Sequence, residues 1–449
     1  MRIVFLQELW YEWQAPMLFS SIAKEKGHCT TLYIKSNPLE ASKVAIKKEA
    51  DLIVFSCVTS GNIDYVYKCA QAIKKKRNIP IIVGGPHITL YPNDVIMRDI
   101  DFLGVGEGEL TFSMLLDYLH NKVSIEQIPG LAYVKEKQLI INPSKIVSNL
   151  NILPIMDRDL YYKYKLFKKE KVRMFYSGRG CIHNCSYCCV PQNDFLIRKR
   201  SPNDLILEIL KVKDKYGLKA AFFQDDSFTQ DKEWLNVFLP LYKKYVNKPL
   251  MCMSRAADLD SNIIELLSNN GCISIGIGLE TSCEKTRMQI LNRYESNTHF
   301  IEVIEKLREK KIRVTTFNML GIPGETVEHI TDTILFNNSL NVSSAWGVLY
   351  QPYKKISGYD IKSCVQTKNF YTNLGYTRQD GKQIESLQRV FPVVVKFPRL
   401  LKYANKIPKI VGYFIFAFFS FYREVNIWRR SVIITFITGI LNQIQYNKR

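Results

Sequence analysis

The chain has 449 residues, 47% of them hydrophobic, which is enough for more than one domain with its own core and excludes general disorder. Its formal net charge of +20 excludes an acidic, anion-repelling surface and suits anionic partners: nucleic acid, anionic lipid or an acidic electron donor. The 11 cysteines are odd in number and scattered through apolar segments, which excludes a disulfide framework and points to a reducing, cytoplasmic setting.

Met1-Arg-Ile-Val-Phe-Leu6 leads straight into Gln7, Glu8 and Glu12, without the apolar core and small-residue cleavage site of a secretory leader. Over residues 1–122 short apolar runs alternate with amphipathic ones. The pattern predicts strands at Ile3–Leu6, Thr30–Ile34, Asp51–Ser56, Pro80–Val83 and Phe102–Val105, with helices over Ala15–Lys26 and Tyr65–Lys76. Such alternation makes a doubly wound, Rossmann-like parallel sheet. Ligands of these sheets bind beyond the C-terminal strand ends, at the switch point. The loops there are Gln7–Ala15, Ser56–Gly61, Gly84-Gly85-Pro86-His87 and Gly106-Glu107-Gly108-Glu109. Two glycines after a buried strand let a flat macrocycle approach the backbone, or simply make a tight strand-to-loop turn.

Residues 123–170 read as a connector. Gly130–Val134 and Leu139–Asn142 suggest a hairpin, Asn149–Pro154 is turn-rich, and the basic, aromatic Tyr161–Lys171 either caps the next domain or is solvated. Residues 171–355 alternate again, with strands expected at Val172–Tyr176, Ala220–Gln224, Leu250–Ser254, Ile273–Gly278, Val314–Leu320 and Ala345–Tyr350, and a helix over Pro202–Tyr216 closed by Gly217. Polar residues gather where these strands end: Gln224-Asp225-Asp226, Ser254-Arg255, Glu280-Thr281 and Gly321-Ile322-Pro323-Gly324-Glu325. A strand-end carboxylate such as Glu280 suits a ribose or ammonium group, and Arg255 suits a carboxylate. Each taken singly also fits a helix cap or an ion pair, Asp226 in particular.

The first strand of this set opens into Ser177-Gly-Arg-Gly180 and then Cys181-Ile-His-Asn-Cys185-Ser-Tyr-Cys188. Three thiolates at this spacing can hold three irons of a cubane cluster and leave the fourth open to a chelating substrate. A structural zinc site is the plainer alternative. Cys189, next to Cys188, is poorly placed for the same cluster and suits a small buried position.

The C-x₃-C-x₂-C loop with an aromatic before its last cysteine resembles the radical S-adenosylmethionine enzymes. Phe-x-Asp-Asp-x-Phe, Gly-x-Glu-Thr and Gly-x-Pro-Gly-Glu-Thr resemble, more narrowly, members with a cobalamin-binding domain, as do Ser56-x-Val58, Gly84-Gly85-Pro86-His87 and Gly106-Glu107-Gly108-Glu109. The resemblance spans residues 1 to about 355. It implies a partial (β/α)₆ barrel with chemistry at the C-terminal strand ends. Cys181, Cys185 and Cys188 would bind a 4Fe–4S cluster. Gln224, Asp225, Ser254, Arg255, Glu280 and Pro323 would lie near S-adenosylmethionine, and Ser56, Val58, Gly84, Gly85, Gly106 and Glu107 near cobalamin. The activity implied is reductive cleavage of S-adenosylmethionine to a 5′-deoxyadenosyl radical, with methylation of an unactivated carbon. Ring contraction, cyclisation and carbon–carbon coupling occur in relatives and stay open. So does a flavodoxin- or ferredoxin-type electron donor. The first loop lacks Asp-x-His-x-x-Gly, so no histidine there can replace the lower cobalt ligand, and His87 suits a structural place. A tRNA methylthiotransferase would fit the charge but needs three N-terminal cysteines on sheet-end loops. Only Cys57 of Cys29, Cys57 and Cys69 is so placed, which argues against nucleic acid. A non-catalytic sensor explains neither the cysteine loop nor the strand-end residues.

Residues 356–449 match no motif. Ile410–Tyr422 and Ser431–Leu441 are apolar runs, each shorter than the roughly 20 residues of a spanning helix. Lys396, Arg399, Lys402, Lys406, Lys409, Arg423, Arg429 and Arg430 flank them. Two readings stand: a peripheral anchor at the inner face of a membrane, with a lipid-like substrate, or a helical cap over the barrel mouth.

Overall fold

The computed structural model describes residues 1–58, 60–95, 97–188, 196–351, 378–428 and 430–447, with the backbone alone for 60, 94, 98, 433, 440 and 442–447. Cys189 and Cys364 lie outside the described residues. The chain divides into two compact units, Met1–Lys169 with Ile440–Arg449, and Glu170–Gly439.

In the first unit, β1 (Arg2–Gln7), α1 (Gln14–Glu25), β2 (Cys29–Ile34), α2 (Pro38–Lys47), β3 (Leu52–Ser56), α3 (Ile63–Lys74), β4 (Ile81–Gly84), α4 (Pro86–Leu90), β5 (Phe102–Gly104) and α5 (Gly108–Tyr118) follow one another. The sheet order is β2-β1-β3-β4-β5, all parallel, as in doubly wound folds. The order reverses beside β1, so the loops after β1 and β3 flank the switch point. Alternate strand residues serve opposite faces. Val4, Leu6, Ile53, Phe55, Ile81 and Val83 pack with Ala41, Ala45, Val66 and Ala70 of α2 and α3. Phe5 meets Phe112, which stacks on Phe19 at 4.8 Å.

The hairpin β6 (Leu131–Lys135) and β7 (Gln138–Ile141) adds antiparallel strands beyond β5, so the sheet has seven. Read as part of a connector, it instead extends the first sheet. The basic aromatic stretch forms α6 (Asp159–Tyr162) and α7 (Lys165–Lys169) and packs on its own unit: the Tyr161 hydroxyl donates to Gln7 Oε1 at 2.5 Å, and Phe167 stacks on Trp10 at 5.9 Å. Its aromatic side chains Tyr161, Tyr162 and Phe167 are buried, while Lys163, Lys165, Lys168 and Lys169 are exposed to solvent.

The second unit opens with β8 (Val172–Phe175), the short pair β9 (Gly178–Arg179) and β10 (Arg198–Lys199), and α8 (Pro202–Tyr216). Then come β11 (Ala220–Phe223), α9 (Lys232–Leu241), β12 (Leu250–Ser254), α10 (Ser261–Asn269), β13 (Cys272–Glu280), α11 (Glu284–Gln289), α12 (Asn297–Glu309), β14 (Arg313–Leu320), α13 (Val327–Ser339) and β15 (Ser344–Leu349). The six long strands lie in sequence order and are all parallel, the arrangement of a partial barrel. Ala221, Phe223, Cys252, Ile275, Ile277 and Val314 point outward into a core shared with α8–α10 and α12.

The C-terminal region finishes this unit. α14 (Gly381–Lys396) buries Leu387, Val390, Phe391 and Val394 against β15 and α13. α15 (Lys409–Tyr422) continues through a π-turn at Arg423–Ile427, and α16 spans Val432–Asn447. The continuous helix Lys409–Ile427 is 19 residues long, so by length and composition it is enough to cross a membrane. The expectation that this run is too short stopped at Tyr422, where the helix does not. Past it, Ile427 and Trp428 pack with Val172, Ala220, Phe222 and Met251. Arg313 Nη1 donates to Asn426 O at 3.3 Å, and Glu170 accepts from Ser431 N at 3.0 Å. Val172, Ala220 and Arg313 begin their strands, so Ile427 and Trp428 close the barrel floor, opposite the mouth that one of the two readings had the tail cap.

Candidate functional site

Ser177–Cys188 leaves the C-terminal end of β8. Its glycines are demanded by the strand that returns beside it. A Cβ on Gly180, at φ +90°, would fall 1.9 Å from Leu196 O, and one on Gly178 would fall 2.6 Å from Arg198 O. Asp225, at the end of β11, fixes the loop's start: it accepts from Ser177 N at 3.0 Å and Ser177 Oγ at 2.6 Å, with Lys199 Nζ 3.6 Å away. Gln230 donates to Gly180 O at 2.8 Å, and His183 Nε2 lies 2.8 Å from Asp258.

Cys185 is buried, and Cys181 and Cys188 are partly exposed. Burial pushes the Cys181 thiol up to about 11, with the His183 backbone N–H pulling the other way. Burial also raises Cys185, opposed by Arg293 and Arg255. Arg255 Nη1 reaches Cys185 Sγ at 3.3 Å. Among the described residues no three His, Cys, Asp or Glu side chains converge on one ion position. N–H donors and cations around the sulfurs favour an anionic thiolate cluster, so the donor set fits one.

The other expected residues near S-adenosylmethionine divide in two. Arg255 and Glu280 meet at the cysteine loop. Glu280, at φ +68°, accepts from Tyr187 OH and Arg293 Nη1, both at 2.8 Å. Burial raises its carboxyl against the pull of Arg293 and Tyr187. The Arg255 guanidinium forks onto Glu295 at 2.5 and 2.9 Å. Asp225 and Ser254 instead tie the protein to itself, Ser254 through Thr229 and Asp225 through Ser177 and Lys199. Gln224 accepts from Tyr176 OH at 3.3 Å. Pro323 is buried in the turn Gly321–Glu325, which Glu325 closes by accepting from Gly321 N at 2.8 Å and Ile322 N at 3.2 Å. Burial pushes Glu325 up to about 7. Asp226 caps no helix, since Asp231 caps α9. Its carboxyl, surrounded by protein but open at the surface, is pushed up to about 6 by burial and by Asp225.

Sequence reasoning missed Lys199, Arg293 and Glu295. No motif marks them, although charged residues spaced through an apolar barrel domain were a visible signal.

In the first unit, Ser56, Gly84 and Gly104 stand in register at the C-terminal edges of β3, β4 and β5. Among the described residues, a Cβ on Gly84 would meet only Gly104 O at 3.7 Å, so they leave room above this shelf. Such a side-chain-free edge fits a flat macrocycle. Gly85 is different. At φ +110° its Cβ would fall 2.6 Å from Cys57 O, so the tight-turn reading accounts for it. Gly106 N donates to Thr89 Oγ1 at 3.0 Å, and Glu107 Oε2 accepts from Val147 N at 3.0 Å. Val58 follows Cys57, whose N–H donates to Gly84 O at 2.7 Å. His87 is buried, as a structural role requires. Cys29 begins β2 while Cys57 follows β3, at opposite sheet edges, and Cys69 lies in α3. They do not assemble a second cluster site.

Residues 175–336 match the family described as the Radical SAM superfamily, and residues 18–116 match the B12 binding domain. An uncharacterized methyltransferase of Pyrococcus horikoshii is 26% identical over 70% of this chain and 70% of its own. The cytidylyl-2-hydroxyethylphosphonate methyltransferase of Streptomyces wedmorensis is 21% identical over 67% of this chain and 65% of its own. Among solved structures, the radical S-adenosylmethionine methyltransferase TsrM of Kitasatospora setae, with cobalamin and a [4Fe–4S] cluster bound, superposes with a TM-score of 0.67. It has 13% identity, and the match covers 78% of this chain and 72% of that one. Together these bear out the resemblance and the architecture, a B12-binding-type domain followed by a radical SAM barrel.

Proposed function

We propose that this chain, an enzyme of the radical SAM superfamily with an N-terminal B12-binding domain, methylates an unactivated carbon of an apolar, lipid-like substrate. The observation that carries the reading is the cysteine loop at the barrel's C-terminal edge, with Arg255 Nη1 3.3 Å from the Cys185 sulfur. When bound, the cluster and S-adenosylmethionine supply a 5′-deoxyadenosyl radical, and cobalamin supplies the methyl group.

The chain's own residues bind, orient and exclude water. Cys181, Cys185 and Cys188 hold three irons. Arg255 and Glu280 stand beside them, where they can meet the carboxylate and the ammonium or ribose of S-adenosylmethionine. Gln224, Ser254 and Pro323 line the neighbouring strand ends, and Asp225 holds the loop's entry. In the other unit, Ser56 and Gly84 offer the macrocycle a flat edge, with Val58, Gly85, Gly106 and Glu107 in the loops around it. The net charge of +20 suits an acidic flavodoxin- or ferredoxin-type donor.

The lipid-like substrate and a seat at the inner face of a membrane are supported by α15. Ile410, Phe414 and Phe418 are exposed on it, and residues 386–423 hold seven lysines and arginines and no acid.

Anaerobic reconstitution tests the chemistry. Wild type should carry about four irons per chain, retain cobalamin, and release 5′-deoxyadenosine on reduction with dithionite. Cys185→Ala should do neither the first nor the last. Zinc in thiolate coordination would overturn the reading. Comparison of metabolites and lipids between wild-type and Cys185→Ala strains identifies the methylated product.

A further inference from the structure

Between α11 and α12 runs Ile290-Leu-Asn-Arg-Tyr-Glu295, a strap that carries no motif. It touches the cysteine loop at successive points. Ser186 N donates to Leu291 O at 3.1 Å and Ser186 Oγ to Ile290 O at 2.5 Å, while Asn292 Nδ2 donates to Asn184 O at 2.7 Å. Arg293 Nη1 donates to Tyr187 OH at 3.1 Å, and its Nη2 donates to Gly278 O at 2.7 Å and to Glu295 at 3.1 Å.

The strap reaches Cys185 by a second route. Glu295 takes Nε and Nη2 of Arg255 in a fork, which leaves Nη1 aimed at the sulfur. Glu295 and Arg293 are buried, and Arg255 largely so. A bidentate pair in such surroundings fixes its partner far better than an exposed one does. Against burial, Arg255 and Arg293 hold the Glu295 carboxyl well below the usual range, so it carries its charge. The two arginines and the two glutamates, Glu280 and Glu295, leave the network neutral overall. Its role is therefore directional: it decides which donor faces which sulfur.

We propose that Glu295 is a positioning residue for the iron–sulfur cluster: by clamping Arg255 from the strap, it keeps an N–H and a positive charge on the Cys185 sulfur. This raises the reduction potential of the cluster held there. Hydrogen bonds to the sulfurs and local charge are the levers a protein has on that potential. The inference rests on Cys185 being a cluster ligand and goes beyond it, since the chemistry alone requires no acid at position 295.

The test is an electron paramagnetic resonance redox titration of the full-length, anaerobically reconstituted protein. Wild type, Glu295→Ala, Arg255→Met and the double variant are compared, with iron per chain and far-UV circular dichroism measured on each. Loss of a negative charge by itself raises a cluster's potential. Loss of the clamp does the reverse. Glu295→Ala should therefore shift the potential negative while Arg255 is present, and should shift it positive or not at all in the Arg255→Met background. That reversal is the signature of a residue acting through another, which a merely structural role does not produce. A positive shift in both backgrounds, or none in either, overturns the proposal. If Glu295→Ala does not fold, Glu295→Asp, one methylene short of the fork, carries the same comparison. If wild type assembles no cluster of about four irons, the assignment of Cys185 fails rather than the role of Glu295.

Discussion

The Trp428 indole lies on the Phe222 ring, with centroids 4.7 Å apart and planes 16° from parallel. Phe222 is a barrel strand residue facing inward, and Trp428 comes from beyond the last barrel strand by almost eighty residues of chain. The floor of the barrel is therefore built by the C-terminal region. Removing a buried indole from a packed layer costs about 3–5 kcal/mol, so Trp428→Ala should lower the stability of the barrel unit by that order. Urea denaturation followed by intrinsic fluorescence and circular dichroism measures it. A loss under about 1 kcal/mol would show that the floor is dispensable.

Gly180 and Gly84 make opposite predictions although both stand in glycine motifs. A Cβ on Gly180 would fall 1.9 Å from the Leu196 carbonyl oxygen, with the backbone at φ +90°. Gly180→Ala should displace the cysteine loop and lose most of the iron while the sheets remain folded. Gly84→Ala adds a Cβ whose only contact among the described residues is an ordinary one at 3.7 Å. That variant should fold and load its cluster normally, yet hold cobalamin at least about tenfold more weakly, a cost of roughly 1.4 kcal/mol. Iron analysis and the absorption of retained cobalamin separate the two results.

Much of this was legible beforehand because it is local. Strand positions in both units follow apolar runs, and the helix Pro202–Tyr216 ends at Gly217 as its residues predict. One local signal went unread: α2 is announced by Asn37, whose Oδ1 accepts from Leu39 N at 2.9 Å, with Pro38 in the first turn. The strap was not legible, because Glu295 and Arg255 are 40 residues apart and only folding of the barrel brings them together. Nor was the tail's place at the floor. Apolarity says that a helix will bury one face, not which end of a barrel receives it.

Glu325 gives a pH dependence with a definite sign. Burial raises its carboxyl from 4.5 to about 7, against the backbone N–H groups of Gly321 and Ile322. The folded state thus binds this proton more tightly than the unfolded state does. Stability from this group is undiminished below about pH 4.5, falls as pH rises, and is lost above about pH 7, by at most about 3 kcal/mol. Glu325→Gln should flatten that part of the profile. Urea midpoints at several values between pH 5 and 8 test it, and parallel profiles for the two proteins would refute the assignment.

The membrane reading makes the most exposed prediction. Phe414 is 70% and Phe418 61% exposed on α15, one turn apart on the same helix face as Ile410. Lys402, Lys406 and Lys409 are exposed just before them. Near an anionic leaflet each such lysine contributes about 1 kcal/mol, so losing three should weaken binding by roughly two orders of magnitude and reversing their charge by more than that. The full chain should float with vesicles containing phosphatidylglycerol, and less well with neutral ones. Phe414→Glu with Phe418→Glu, and separately Lys402→Glu, Lys406→Glu and Lys409→Glu together, should stay in the dense fraction. A truncation before α15 would also delete Ile427 and Trp428 and open the barrel floor. Point substitutions on the exposed face leave that floor intact. If the variants float like wild type, the stripe does not meet lipid. If the lipid-free protein is a dimer that the same phenylalanine substitutions dissociate, the face belongs to a second copy of the chain, and the substrate must reach the barrel from solution.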